Sequence, residues 1–187
     1  MRASWHEQFE AICPSRLVFV DESGANTQLT RLRGRALTSQ RLLGRIPHRH
    51  YKSTTLIAAI RLQGTFAPWL FDGPMDGEMF LGWVCIGLAP SLHPGDLVIM
   101  DNLATHKVVG VKEAIEQAGA ELLYLPPYSP DFNPIENLWS KVKQKLRSLA
   151  PRTVRQLLPA AKAAFEAISP ADCTGFFAHA HYATSFM

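Results

Sequence analysis

Two apolar runs end in carboxylates. Residues 17–22 read LVFVDE and residues 97–102 read LVIMDN, so Asp21 and Asp101 each follow four large apolar residues. Runs of this kind read as strands buried on both faces, which belong in sheets covered by helices. Ligand sites in such sheets collect at the carboxyl ends of the strands. As neighbouring parallel strands, the two runs bring both aspartates to that edge. Like charges held close are unfavourable unless a cation or a proton relieves them. A hard divalent cation such as magnesium prefers carboxylate oxygens and keeps several waters. A lone aspartate here would be a loop-start residue or a helix cap; the pair points to a metal.

A third carboxylate stands in YLPPYSPDFNPIENLW, residues 124–139. Pro126, Pro127, Pro130 and Pro134 stiffen the approach to a helix. Asn133 suits the N-cap and Pro134 the first turn. Glu136 falls in that turn, where the helix dipole also favours an acid. At about 100° per residue, Ile135, Leu138, Trp139, Val142, Leu146 and Leu149 form an apolar stripe, with Trp139 as core. Glu136 lies on its border, with Ser140, Lys143 and Arg147 on the same side. Lys141 and Lys145 point farther out, toward solvent. A cationic row leading from a carboxylate cluster suits a phosphodiester backbone. Asp131 reads equally well as a turn residue. Glu22 adjoins Asp21 but points away from it in an extended chain, and is not expected to be a ligand.

The charge distribution agrees. The net charge is only +3, yet residues 23–71 contain no acid and hold Arg31, Arg33, Arg35, Arg41, Arg45, Arg49, Lys52 and Arg61. Residues 137–165 are also acid-free and basic, while ten of the sixteen acids lie between, from Asp72 to Glu136. Such segregation favours a polyanionic partner. Arg31, Arg33, Arg35 and Arg45 in the first stretch, and Lys143 and Arg147 in the second, are the expected contacts. No apolar run approaches the roughly 18 residues of a membrane span, and residues 1–10 lack the apolar segment of a signal peptide. Cys13, Cys85 and Cys173 lie far apart without a CxxC pair, which fits reduced thiols in a cytoplasm.

The elements that must position these groups follow from periodicity. Strands are expected at 16–21, 29–37, 52–61, 65–71, 97–100 and 121–125. Helices are expected at 75–88, 108–117, 134–149 and 153–168, with Pro159 a possible break in the last. Residues 1–15 read as a helix or a loosely attached arm, 38–50 as a polar loop, and the tail as short and aromatic. This is an α/β layered domain with a mixed sheet, one domain over 1–187 with a helical C-terminal segment from 150.

Three motifs carry a family resemblance: VDESG around Asp21, MDNLATHK around Asp101, and LPPYSPDFNPIENLWSKVK around Glu136. With 34 residues between Asp101 and Glu136, they resemble the DDE triad of mariner-superfamily transposases, in the branch found in bacterial insertion sequences. The third motif is the most specific, and the resemblance runs from about residue 16 to 149. It implies an RNase H-like fold, a five-stranded mixed sheet with the first three strands antiparallel and helices on its faces. It implies catalysis by Asp21, Asp101 and Glu136 holding two magnesium or manganese ions. The implied reaction is cleavage at transposon terminal inverted repeats followed by strand transfer into target DNA, usually at TA. A homodimer is implied, because two ends must be joined, and a nucleoid-associated location in a bacterial cytoplasm.

Asn102 and His106 follow the second acid in the family's usual pattern. Asn102 could hold Asp101 or a phosphate; His106 could orient a carboxylate, contact DNA, or simply pack. The HxH stretches at 48–50 and 179–181 read as surface histidines. Family members normally carry helix-turn-helix modules ahead of the catalytic domain, and only about fifteen residues precede the first strand here, so such a module is expected on a separate chain or outside this fragment. The non-catalytic alternative is an inactive or domesticated remnant that only binds DNA or a partner. A haloacid-dehalogenase-type phosphatase also places an aspartate after an apolar strand, but needs an acid two positions later; here Glu22 and Ser23 follow Asp21.

Overall fold

The computed structural model describes residues 5–9, 12–31, 33–43 and 53–184. Five strands form one mixed sheet in the order β3-β2-β1-β4-β5. They are β1 (Leu17–Ala25), β2 (Thr54–Arg61), β3 (Gly64–Asp72), β4 (Leu97–Met100) and β5 (Glu121–Tyr124). β1, β2 and β3 run antiparallel in sequence, and β4 and β5 add parallel to β1. This is the mixed sheet expected, with its first three strands antiparallel.

Helices cover both faces. α1 (Gly77–Trp83), a π turn (Val84–Leu88) and α2 (Val111–Gln117) lie on one side. α3 (Ile135–Leu149), α4 (Val154–Glu166) and α5 (Pro170–His179) lie on the other. Strand alternation divides β1 between the layers. Leu17 and Phe19 join the core under α3, α4 and α5, whereas Val18 and Val20 join the core under α1 and α2.

Several expectations change. Residues 29–37 form no strand where they are described, and Arg31, Arg33 and Arg35 are exposed. Both edges of β1 are taken, by the β-branched β2 and by β4, so the Arg-rich segment cannot pair beside the strand it follows. Its start is tied instead to the far end of the chain, where Arg152 donates to the carbonyls of Thr27 (3.1 Å) and Leu29 (3.0 Å). The helix expected over 75–88 is α1 continued by the π turn. Pro159 sits inside α4 without ending it. The tail holds α5, capped by Ser169, whose hydroxyl accepts from Asp172 N–H while the Asp172 carboxylate accepts from Ser169 N–H. The N-terminal arm is docked where it is described: Trp5 and Phe9 are buried, and Trp5 Nε1 donates to Tyr182 Oη at 2.7 Å. Among the described residues no helix is long and apolar enough to cross a membrane.

Candidate functional site

Register brings the two aspartates together. β1 and β4 pair in parallel through Val20 and Met100. The next residue on each chain is the acid, so Asp21 and Asp101 leave the shared ladder at the same level. β4 ends there, while β1 continues against β2 with Asp21 opposite Ala58. Asp21 is thus set within a strand rather than at its end.

Alternation decides where each β1 acid points. Asp21 shares the parity of Leu17 and Phe19, and its side chain enters the layer of α3. There Trp139 Nε1 donates to Asp21 Oδ2 at 3.0 Å. Trp139 is core, as its place on the apolar stripe requires, and it also holds the first carboxylate. Glu22 points to the opposite layer. There it meets His106 on the 3-10 turn Ala104–Lys107 that follows β4.

His106 is fully buried, with its ring against Phe80 at 4.3 Å between centroids. Its Nε2 lies 2.9 Å from Glu22 Oε2 and its Nδ1 2.5 Å from Asp101 Oδ1. Two carboxylates facing the two ring nitrogens favour the doubly protonated ring. Burial acts to lower its pKa, but the hydrogen bonds to Asp101 and Glu22 and their charges push it up to about 10. Of the three roles open to His106, the geometry matches the orienting of carboxylates.

Glu136 completes the cleft from α3. The proline-rich loop brings the chain over the carboxyl ends of β4 and β5, and Asn133 Oδ1 accepts from Ile135 N–H at 3.4 Å. The N-cap position itself falls on Pro134, one residue after the expected Asn133, which supports the first turn from just ahead of it. The apolar stripe is buried from Ile135 to Leu146, Leu149 is exposed, and Glu136 lies outside the stripe and exposed.

A cleft of about 430 Å³ is lined by Asp21, Asp101, Asn102 and Glu136, with Asn133 and the loop residues 125–130 forming the far wall. Tyr128 stands 98% exposed on that wall, at φ 56°. Asp21 is only 9% exposed, and its carboxyl is pushed up to about 8, first by burial, then by Glu22, Glu136 and Asp101. The three acids therefore feel one another. Among the described residues no Lys or Arg pairs with Asp21 or Glu136, and the donors to Asp21 are a neutral indole and the Glu22 backbone N–H. Asp101 has His106 beside it, but Asp21 and Glu136 have no cationic partner among the described residues, and such a pair of acids offers the oxygen donors of a hard divalent ion. No three His, Cys, Asp or Glu side chains among the described residues converge on a single point. The acids fit ions held by pairs of carboxylates and by water rather than one closed cage.

The expected DNA contacts divide. Arg31, Arg33 and Arg35 are exposed, Lys143 and Arg147 are half-buried on α3, and Arg45 lies outside the described residues. Lys141, expected in solvent, forms an ion pair with Asp172 of α5. Among the described residues no Lys or Arg lines the cleft itself.

The comparisons with known proteins agree with this architecture. No curated protein matches the sequence. The fold is that of a Mos1 transposase paired-end complex with left transposon end, at TM-score 0.74 and 17% identity over 94% of this chain and 54% of that one. It is also that of the Mos1 mariner transposase catalytic domain, at TM-score 0.67 and 14% identity over 94% and 80%. A mariner Mos1 paired-end complex with Mg matches at TM-score 0.71 and 17% identity, over 89% and 53%. The chain thus spans about half the length of the transposase chains in those complexes. The model of the DDE superfamily endonucleases matches residues 16–158, and the chain belongs to that family.

Proposed function

We propose that this chain is the catalytic domain of a transposase, cleaving DNA strands and transferring them at the cleft between β1, β4 and α3. The observation that carries the reading is the placement of Asp21, Asp101 and Glu136 on one cleft, where burial and the neighbouring acids disfavour the ionised form of Asp21. The family match and the Mos1 complexes with transposon ends, Mg and Mn support it.

Asp21, Asp101 and Glu136 are the ligands for two divalent ions, magnesium or manganese. Bound there, such ions supply activation of the attacking oxygen and stabilisation of the leaving one. The chain's own residues hold that arrangement. Trp139 fixes Asp21 by one hydrogen bond, and His106 occupies Oδ1 of Asp101. No hydrogen bond joins Asn102 to Asp101 among the described residues, which leaves Asn102 for a phosphate oxygen. Arg31, Arg33, Arg35, Lys143 and Arg147 neutralise the DNA backbone away from the cleft. In the first reaction a water oxygen attacks the scissile phosphorus and frees a 3′-hydroxyl at the element's end. In the second that hydroxyl attacks a target phosphodiester, one bond forming as one breaks. The finer reading follows the motifs: a bacterial insertion-sequence element, TA targets, a homodimer joining two inverted repeats, and a helix-turn-helix module on a separate chain or outside this one.

Nicking of supercoiled plasmid tests the reading. Wild-type chain is expected to nick in Mn2+ or Mg2+ and to stop with EDTA. Asp101→Asn and Glu136→Gln are each expected to lose at least about a thousandfold of the rate, about 4 kcal/mol of transition-state stabilisation. Nicking that survives both substitutions removes this cleft from the reaction. A metal-free remnant shows no nicking under any of these conditions.

A further inference from the structure

Glu22 neighbours a catalytic position but points into the other layer, where it meets a buried histidine. We propose that Glu22 is a positioning residue: acting through His106, it fixes the orientation of Asp101 so that Oδ1 is occupied by protein and Oδ2 is presented to a divalent cation. The inference rests on the metal reading above.

Several contacts hold His106 in place. Its ring is packed against Phe80 at 4.3 Å and 30°. Its backbone carbonyl accepts from Tyr124 Oη at 3.1 Å. Its two ring nitrogens face opposite ways: Nδ1 lies 2.5 Å from Asp101 Oδ1 and 3.3 Å from the Asp101 backbone carbonyl, and Nε2 lies 2.9 Å from Glu22 Oε2. An imidazole can rotate about its own bond to the backbone; gripped at both nitrogens, it cannot turn without losing a charge-assisted bond in a buried place. Glu22 sits on β1 in ladder register with Ile57 of β2, so its end of the bridge is anchored in the sheet.

Asp101 has no such anchor of its own, because β4 has ended at Met100. Its Oδ1 takes the His106 Nδ1 proton and also lies 3.4 Å from Leu103 N–H. Among the described residues Oδ2 accepts no hydrogen bond. The bridge therefore sorts the two oxygens, one for the protein and one for the cleft. Asp101 is half-exposed and, without the bridge, free to turn either oxygen outward. Groups that orient a metal's ligands from behind are worth 10–100-fold in affinity or activity by mutation.

Mn2+ binding to the purified chain, followed by the electron paramagnetic resonance of free Mn2+, separates the outcomes. Glu22→Ala is expected to weaken binding about tenfold. Glu22→Gln keeps an acceptor at the same reach but is a poor cation ligand, and is expected to stay within about threefold of wild type. Thermal melts of each variant check that the fold is intact. Should Ala destabilise it, Glu22→Asp, which keeps the charge and shortens the reach, is expected to show the same loss. Wild-type affinity in Glu22→Ala overturns the inference and leaves the metal site standing. Equal loss in Gln and Ala also overturns it, because Glu22 is then itself a ligand or acts by charge alone. A wild-type chain that binds no Mn2+ takes down the metal reading and this inference with it.

Discussion

Asp21 shows most directly how the site opposes the stability of its own fold. Its carboxyl is raised to about 8 by burial, then by Glu22, Glu136 and Asp101. An unfolded chain ionises it near the usual 3.8. The metal-free protein therefore carries no cost from Asp21 below about pH 4, a rising cost as pH climbs from 4 to 8, and the full cost above 8. Asp21→Asn is expected to stabilise the metal-free chain at pH 8 by a few kcal/mol and to raise its Tm by several degrees, with little effect at pH 4. The same substitution is expected to abolish nicking. Melts of both proteins at the two pH values check the first half, and a destabilised Asn variant at pH 8 contradicts it. The acids themselves were legible in the sequence, because LVFVDE and LVIMDN place them after buried strands. Their partners were not. Trp139 reads as core by periodicity and is core; that its indole N–H reaches Asp21 depends on how α3 crosses β1, a long-range fact. The role of Glu22 was half legible: alternation turns it away from Asp21, but no local signal names His106, 84 positions on, as what it meets.

The elements were legible where their patterns are strong. β4, β5, α3 and α4 stand close to where periodicity puts them. The strand expected at 29–37 failed because alternation describes a strand's faces and says nothing of a free edge to pair with. α5 carries a local signal that its apolar tail obscured: Ser169, Pro170 and Asp172 are a capping box with proline in the first turn. Ser169→Ala is expected to cost about 1 kcal/mol of global stability and to leave nicking unchanged, as checked by urea denaturation and by the plasmid assay. A loss of nicking without a loss of stability would put α5 in the reaction. Lys141 shows the same limit: helix geometry turns it outward, and only the presence of α5 makes outward mean toward Asp172.

At the scale of the whole chain, Asp21, Asp101 and Glu136 line one cleft, while Arg31, Arg33 and Arg35 are outside its lining and Lys143 and Arg147 lie farther along α3. That division was readable from composition, because 137–165 and 23–71 contain no acid at all. DNA affinity is expected to fall steeply with salt, as counterions are released from each neutralised phosphate. Replacing Lys143 and Arg147 together by Ala is expected to flatten the slope of log affinity against log salt by about 2 without moving the metal affinity. An unchanged slope removes α3 from the DNA interface.

The claim at the centre is that acids from β1, β4 and α3 hold divalent ions together, and iron can be made to report on it. Fe2+ replacing Mg2+, with ascorbate and peroxide, releases hydroxyl radicals that cut the polypeptide beside the ion. Cuts mapped by mass spectrometry are expected near residues 21, 101 and 136, suppressed together by excess Mg2+ and lost in Asp21→Asn. Cuts elsewhere, or cuts that Mg2+ does not suppress, contradict the account.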